Sequence, residues 1–127
     1  MSRFLKITLA LLAFTACAFA GTATYEPHKK VSLQGRLISA DGATPDGKAI
    51  KFPALQLPQA IVVMGDEDSH TQKGVLLLHM VLNQDLWPTF QKLKGQTVVV
   101  EGKLFHADNG NHQTNVLVIP SRISLVK

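Results

Sequence analysis

His106 and His112 are the side chains of this 127-residue chain best placed to do chemistry. They flank Asp108-Asn109-Gly110-Asn111, a run with the composition of a hairpin loop. If the turn spans residues 107–111, the two histidines face each other across an antiparallel pair, where opposite Cβ atoms lie ~4.5–5.5 Å apart. Imidazoles that close can share a divalent cation at N–metal distances of ~2.0–2.1 Å, with Asp108 as a third ligand. Alternatively, they cap the open end of the fold through hydrogen bonds to Thr114, Asn111 or backbone carbonyls. Capping is the better supported of the two, because a pair of histidines without a clear third ligand is poor evidence for a metal. The candidate binding set is therefore His106, Asp108, Asn111, His112 and Thr114. His106 and His112 are the ligands if a divalent metal binds, and no other cofactor is indicated.

The remaining polar groups carry less. Asp66-Glu67-Asp68 lacks the ligand spacing of a calcium loop and reads as a solvated acidic turn. His79, alone in the apolar run VLLLHMVL, reads as a satisfied core or barrel-face histidine. His28 and His70 are loop residues without an evident partner. No Gly-x-Ser-x-Gly, His-Glu-x-x-His or phosphate loop occurs, and the acids cluster in turns rather than facing one another across a cleft. The chain is not expected to be an enzyme.

These residues need elements to hold them. Val31 to Ile38 alternates with period two, and Gly35 inside it marks a bend or a close backbone approach. Residues 39–48 contain Asp41-Gly42 and Asp46-Gly47, two turn signals that predict a long loop. A second strand region, residues 50–63, carries Pro53 and Pro58, which belong at an edge or a bulge. The apolar run from Gly74 to Leu82 predicts a buried third strand. Leu86, Phe90 and Leu93 then fall at helical spacing, predicting a short helix over residues 86–94 with Asp85 as N-cap and Gly95 just past its end. Residues 96–107 alternate again, with Val98, Val100, Gly102 and Leu104 inward. Residues 114–119 form the fifth strand, which Pro120 interrupts before the chain ends on Ile123 to Val126.

Five strands with one short helix between the third and fourth is the order of a mainly β, five-stranded OB-like barrel. An SH3-like barrel or another small β-roll is the alternative.

The first twenty residues read as a signal peptide: Arg3 and Lys6, an apolar run from Ile7 to Phe14, then Ala18-Phe19-Ala20 at the cleavage site. No apolar run reaches the ~20 residues that span a bilayer. A minority reading makes Cys17 a lipid-anchored N-terminus. The expected product is periplasmic or secreted, with a flexible segment at 21–30 and one barrel domain over 31–127. It keeps no cysteine, so no disulfide supports it. Eleven basic side chains then face nine acidic ones, too small a surplus to imply a polyanion. That balance, a third strand without aromatics and export together argue against nucleic acid as a partner, and none is expected.

The stretches FPALQLPQAIVV (52–63) with Gly65-Asp66, LKGQTVVVEGKLFHA (93–107) and HQTNVL (112–117) resemble a family of small exported bacterial proteins classed as a domain of unknown function. Its pattern closes on a Gly-Lys-hydrophobic-Phe-x-Ala strand, a histidine-rich turn and Thr-x-Val-Leu. Here Asn111 and Gln113 flank a lone histidine where that family tends to carry several. The resemblance covers about three-quarters of the exported part and implies compartment and fold. Some members join this domain to modules resembling lysozyme inhibitors, which hints at interaction. The expected function is an exported, non-catalytic module recognising a protein or cell-envelope ligand through its mouth loops at 40–48, 66–73 and 107–113, with an inhibitor or immunity role as one form of it. A metal-binding periplasmic protein using His106 and His112 is the alternative, and oligosaccharide or nucleic-acid binding ranks below both. Oligomeric state is not legible.

Overall fold

The computed structural model describes residues 22–126. The signal peptide read at 1–20 and the lipid attachment read at Cys17 lie outside them. Six strands and one helix make up the fold: β1 Thr24–Tyr25, β2 Lys30–Ala43, β3 Ala49–Val63, β4 Gln72–Met80, α1 Trp87–Leu93, β5 Thr97–His106 and β6 Val116–Leu125. The sheet runs β1-β3-β2-β5-β6-β4, and β3 also pairs β4, so β2 to β6 close on themselves. Four of the five junctions are antiparallel, whereas β4 meets β6 in parallel. With the helix between β4 and β5, this is the five-stranded OB barrel expected from the element order, with β1 added at an edge.

Period-two alternation builds the wall. In β2, Leu33 and Leu37 are buried while Gln34 and Arg36 are exposed; in β5, Val98, Val100 and Leu104 are buried. Their inward sides meet Leu55, Leu57, Leu78, Met80, Val116, Val118 and Ile123 in one core, and Phe90 of α1 enters the same core at 3 % exposure. The helix starts at Trp87, with Leu86 at the N-cap making no side-chain cap bond. Asp85 therefore does not cap it. Asn83 does the equivalent work one turn earlier, its side-chain Oδ1 accepting from Leu86 N–H at 3.0 Å. At the other end Gly95 adopts φ 89° and donates to Leu37 O at 2.7 Å, tying the helix exit to β2.

Three segments differ from the sequence reading. Residues 39–48 are not a long loop: β2 and β3 stay paired from Arg36↔Gln56 to Ala43↔Ala49, leaving a turn at 44–48. Asp41-Gly42 lies within that ladder, and the Asp41 carboxylate meets Lys51 across it, which turn statistics cannot see. Where the sequence predicts a flexible lead-in at 21–30, β1 instead pairs in parallel with Val62 and Val63, and His28 N–H donates to Leu104 O at 2.7 Å. Pro120 does not interrupt the last strand. It sits opposite Gly102, and the ladder absorbs it by a one-residue bulge at Ser121, whose hydroxyl donates to Glu101 O at 3.1 Å.

Gly102 is where this wall bends most closely on its neighbour. A Cβ there would run into Ile119 O and lie 2.8 Å from Pro120 Cα, both backbone atoms that cannot swing aside. Gly102→Ala should therefore destabilise the domain by about 1–3 kcal/mol, the usual range for overpacking. A urea midpoint lowered with the m-value unchanged would show it, and a wild-type midpoint would refute the close approach.

Candidate functional site

Adjacent residues of a strand point to opposite faces, and this parity separates the two histidines singled out from sequence. Phe105 faces outward and His106 inward at the end of β5. His106 is 6 % exposed, pairs with Val116 in the ladder, and its Nε2–H donates to Met64 O at 2.8 Å. His112 packs instead against the outward Phe105, ring centroids 5.5 Å apart and nearly perpendicular. The expected facing of His106 and His112 is thus corrected: the β5 strand stands between them, and they cannot share a cation. Among the described residues, no three histidine, cysteine or carboxylate side chains converge as metal ligands.

The rest of the candidate set gathers around His112. Asp108 N–H donates to His112 Nδ1 at 3.1 Å, and the Asp108 carboxylate stands 3.3 Å from the same nitrogen. The amide bond fits the neutral ring and the carboxylate fits the protonated one, so Asp108 can serve either state. Asn109 Nδ2 lies 3.3 Å from His112 Nε2, and Asn109 Oδ1 accepts from Asn111 N–H at 2.8 Å, closing the tip of the loop. Thr114 turns inward: its Oγ1 accepts from His79 N–H at 2.9 Å and donates to Val116 O.

His79 is the residue the sequence underrated. It pairs with Ala54 on one side and Leu117 on the other, on the outward face of β4. Its ring lies 5.0 Å from Phe52 and 6.3 Å from His112, and its Nδ1 accepts from Gln113 N–H at 3.2 Å. Burial, with the His112 ring beside it, holds its pKa below the ordinary 6.5. The one sequence signal was parity: Leu78 and Met80 are core, so the residue between them must face out.

Around His79 the outer wall is covered rather than bare. Phe52, Ala54 and Leu117 are buried yet stand apart from the barrel core. The loop at 107–115 folds back over them, and Gln113 fastens it to β2: its Nε2 donates to Ala43 O at 2.8 Å and its Oε1 accepts from Ala43 N–H at 2.9 Å. Gly42 makes this clasp feasible, since a Cβ there would meet the Gln113 amide and Phe52 Cδ1.

Further along the same outward face the wall is open. A groove of about 620 Å³ runs over β2, β3 and β4, lined by Gln34, Arg36, Ile38, Gln56, Pro58, Leu76, Leu77 and Thr97. Leu76 is 50 % exposed there. Arg36 is the groove's charged side chain, and its Nε–H donates to Gly95 O at 3.1 Å. The groove exists because β3 leaves both ladders at residues 57–60: Gln56 pairs with Leu77, but the next β4 pair is Ile61 with Val75. Pro58 lies within that arch, consistent with the bulge expected of it.

Comparison with known proteins adds the following. A family model described as a domain of unknown function, DUF4431, matches residues 77–122, which include His79, Phe105, His106 and His112. No curated protein matches the chain. Among solved structures, a deletion mutant of the single-stranded DNA-binding protein from Thermus aquaticus is similar at 22 % identity and a TM-score of 0.41, over 77 % of this chain and 50 % of that one. This chain thus spans half the length of that protein. A mitochondrial single-stranded DNA-binding protein of S. cerevisiae is similar at 16 % identity and a TM-score of 0.36, over 78 % and 96 %. Both similar structures are single-stranded DNA-binding proteins by name, whereas the sequence reading expected no nucleic acid as a partner.

Two outcomes follow from the geometry. Replacing His106 by Ala leaves Met64 O without its donor and a void inside the barrel, and should lower stability by about 1–3 kcal/mol. A loss near zero in chemical denaturation would mean the ring is not structural. For His79, the unfolded chain binds a proton more readily than the folded one. Stability is therefore full above pH 6.5 and falls as the pH drops below it towards the lowered folded-state pKa. Thermal melts across that range check the sign, and His79→Asn should flatten the slope.

Proposed function

We propose that this domain is a non-catalytic binding module, exported to the periplasm or secreted, which holds an extended segment of a partner protein along the outward face of β2, β3 and β4. The observation that carries the reading is the groove at Arg36, Gln56, Leu76 and Leu77. It lies on the outward face of the strands along which OB barrels hold elongated ligands.

Its chemistry favours a polypeptide. Leu76, Leu77, Ile38 and Pro58 supply apolar contact, whereas Gln34, Gln56 and Thr97 offer hydrogen bonds to a peptide backbone. Arg36 favours an acidic side chain or a carboxylate opposite it. No aromatic side chain lines the groove to stack on a base, which single-strand binding usually employs. A role as inhibitor or immunity protein is one form this binding takes.

The reading is tested by selecting peptides from a displayed library on the purified domain, then measuring them against Leu76→Asp and Arg36→Glu. Both positions face outward, so the fold should survive. Selected peptides should lose at least about tenfold in affinity on each variant, about 1.4 kcal/mol. A deoxythymidine oligomer is measured in parallel. Micromolar binding of the oligomer that Arg36→Glu abolishes, with no peptide selected, would replace the polypeptide by single-stranded nucleic acid.

A further inference from the structure

We propose that the 107–115 loop is an autoinhibitory strap, covering one half of the ligand face at neutral pH and released when His79 takes up a proton. The proposal rests on the reading above only for what the uncovered face would bind; the strap itself is argued from its own contacts.

The open groove and the covered patch are one surface. Ile38, in the groove, pairs with Ala54, and Ala54 pairs with His79. A ligand tracking along β3 from Gln56 must next meet Ala54 and Phe52, and these are buried at 0 % and 5 % exposure. What stands over them is not another strand but the 107–115 loop, through His112 and Gln113. The loop thus occupies the place where a longer ligand would continue.

The strap is held at two points. One is the clasp of Gln113 on Ala43, two hydrogen bonds between neutral groups that do not titrate. The other is His79. Its Nδ1 accepts the Gln113 N–H, and its own backbone N–H is taken by Thr114 Oγ1. A protonated imidazole has no acceptor, so protonation turns the first of these bonds into two N–H groups aimed at one another.

The groups around His79 do not offset that charge. From the strap it faces His112, a second group able to become cationic; from β3 it faces Phe52, and in the β6 ladder it stands opposite Leu117. Asp108, the nearest carboxylate in this cluster, lies against His112 rather than His79. Acidification therefore costs the strap a hydrogen bond at His79 and places a cationic ring against the apolar wall with no carboxylate facing it. An opened strap lets His79 into water, where it holds its proton more firmly, and this linkage drives release.

Hydrogen–deuterium exchange at 107–115, corrected for intrinsic rates, reads the strap without any ligand. Between pH 7.5 and 5 protection in the strap should fall by about tenfold for each unit by which opening raises the His79 pKa, while core amides such as Val100 stay protected. His79→Asn keeps an acceptor near the Nδ1 position and removes the charge. That variant should stay closed at pH 5. Gly42→Ala displaces the Gln113 amide and should open the strap at pH 7.5 with His79 intact. Should that variant fail to fold, Gln113→Ala tests the same clasp. Strap protection that does not change with pH in the wild type, or that falls equally in His79→Asn, overturns the proposal. Failure of the peptide or oligomer experiments leaves these exchange rates unaffected, so the two readings fail separately.

Discussion

The barrel closes through one short parallel seam, and everything described above hangs on it. His79 and Met80 of β4 pair with Leu117 and Val118 of β6, and Val81 N–H extends the seam to Val118 O at 2.9 Å. The other four ladders that close the barrel are longer and antiparallel. At the seam, parity sends Met80 and Val118 into the core and His79 and Leu117 to the outside. The same two rows thus seal the barrel and seat the polar cluster. A side chain bonded to the backbone at the closure point is held by the fold rather than by its loop.

A second, smaller packing unit follows from that arrangement. Phe52, Ala54 and Leu117 lie outside the barrel yet are shielded from water by the 107–115 loop. Fully burying a phenylalanine or leucine side chain contributes about 1.5–3 kcal/mol, so covering this patch favours the closed arrangement by an amount comparable with a few hydrogen bonds. The cost of closing falls on polar groups: a loop brought against apolar wall must find partners for its amides. It does so through Ala43, His79 and its own Asn109. One of those partners, His79, is an imidazole whose pKa burial holds below the ordinary value, which makes the balance sensitive to acid.

Much of the architecture was legible because it rests on local pattern. Alternation marked β2 and β5, helical spacing marked α1, and Gly35 marked a bend where a Cβ would strike Gln56 O. What escaped depended on partners distant in sequence. Asp41-Gly42 has the composition of a turn, but pairing with Lys51 and Ile50 keeps it extended. The facing of His106 and His112 assumed a symmetric hairpin. The chain instead leaves β5 at His106 and regains the ladder only at Val116, so the loop is free to fold over the outer wall. His79 looked unremarkable since nothing in its neighbourhood along the chain discloses that Gln113 returns to it.

The arch at residues 57–60 has a consequence for how the molecule behaves in a crowd. A stretch of strand that has left its ladders is where a foreign chain most readily adds and seeds a fibril. Here Pro58 removes a donor from that stretch, and the bulge turns β3 away from the flat geometry that stacking requires. A segment lying in the groove would therefore meet side chains more than a free ladder edge. The irregularity that opens the groove also makes this stretch of β3 a poor template for a further strand.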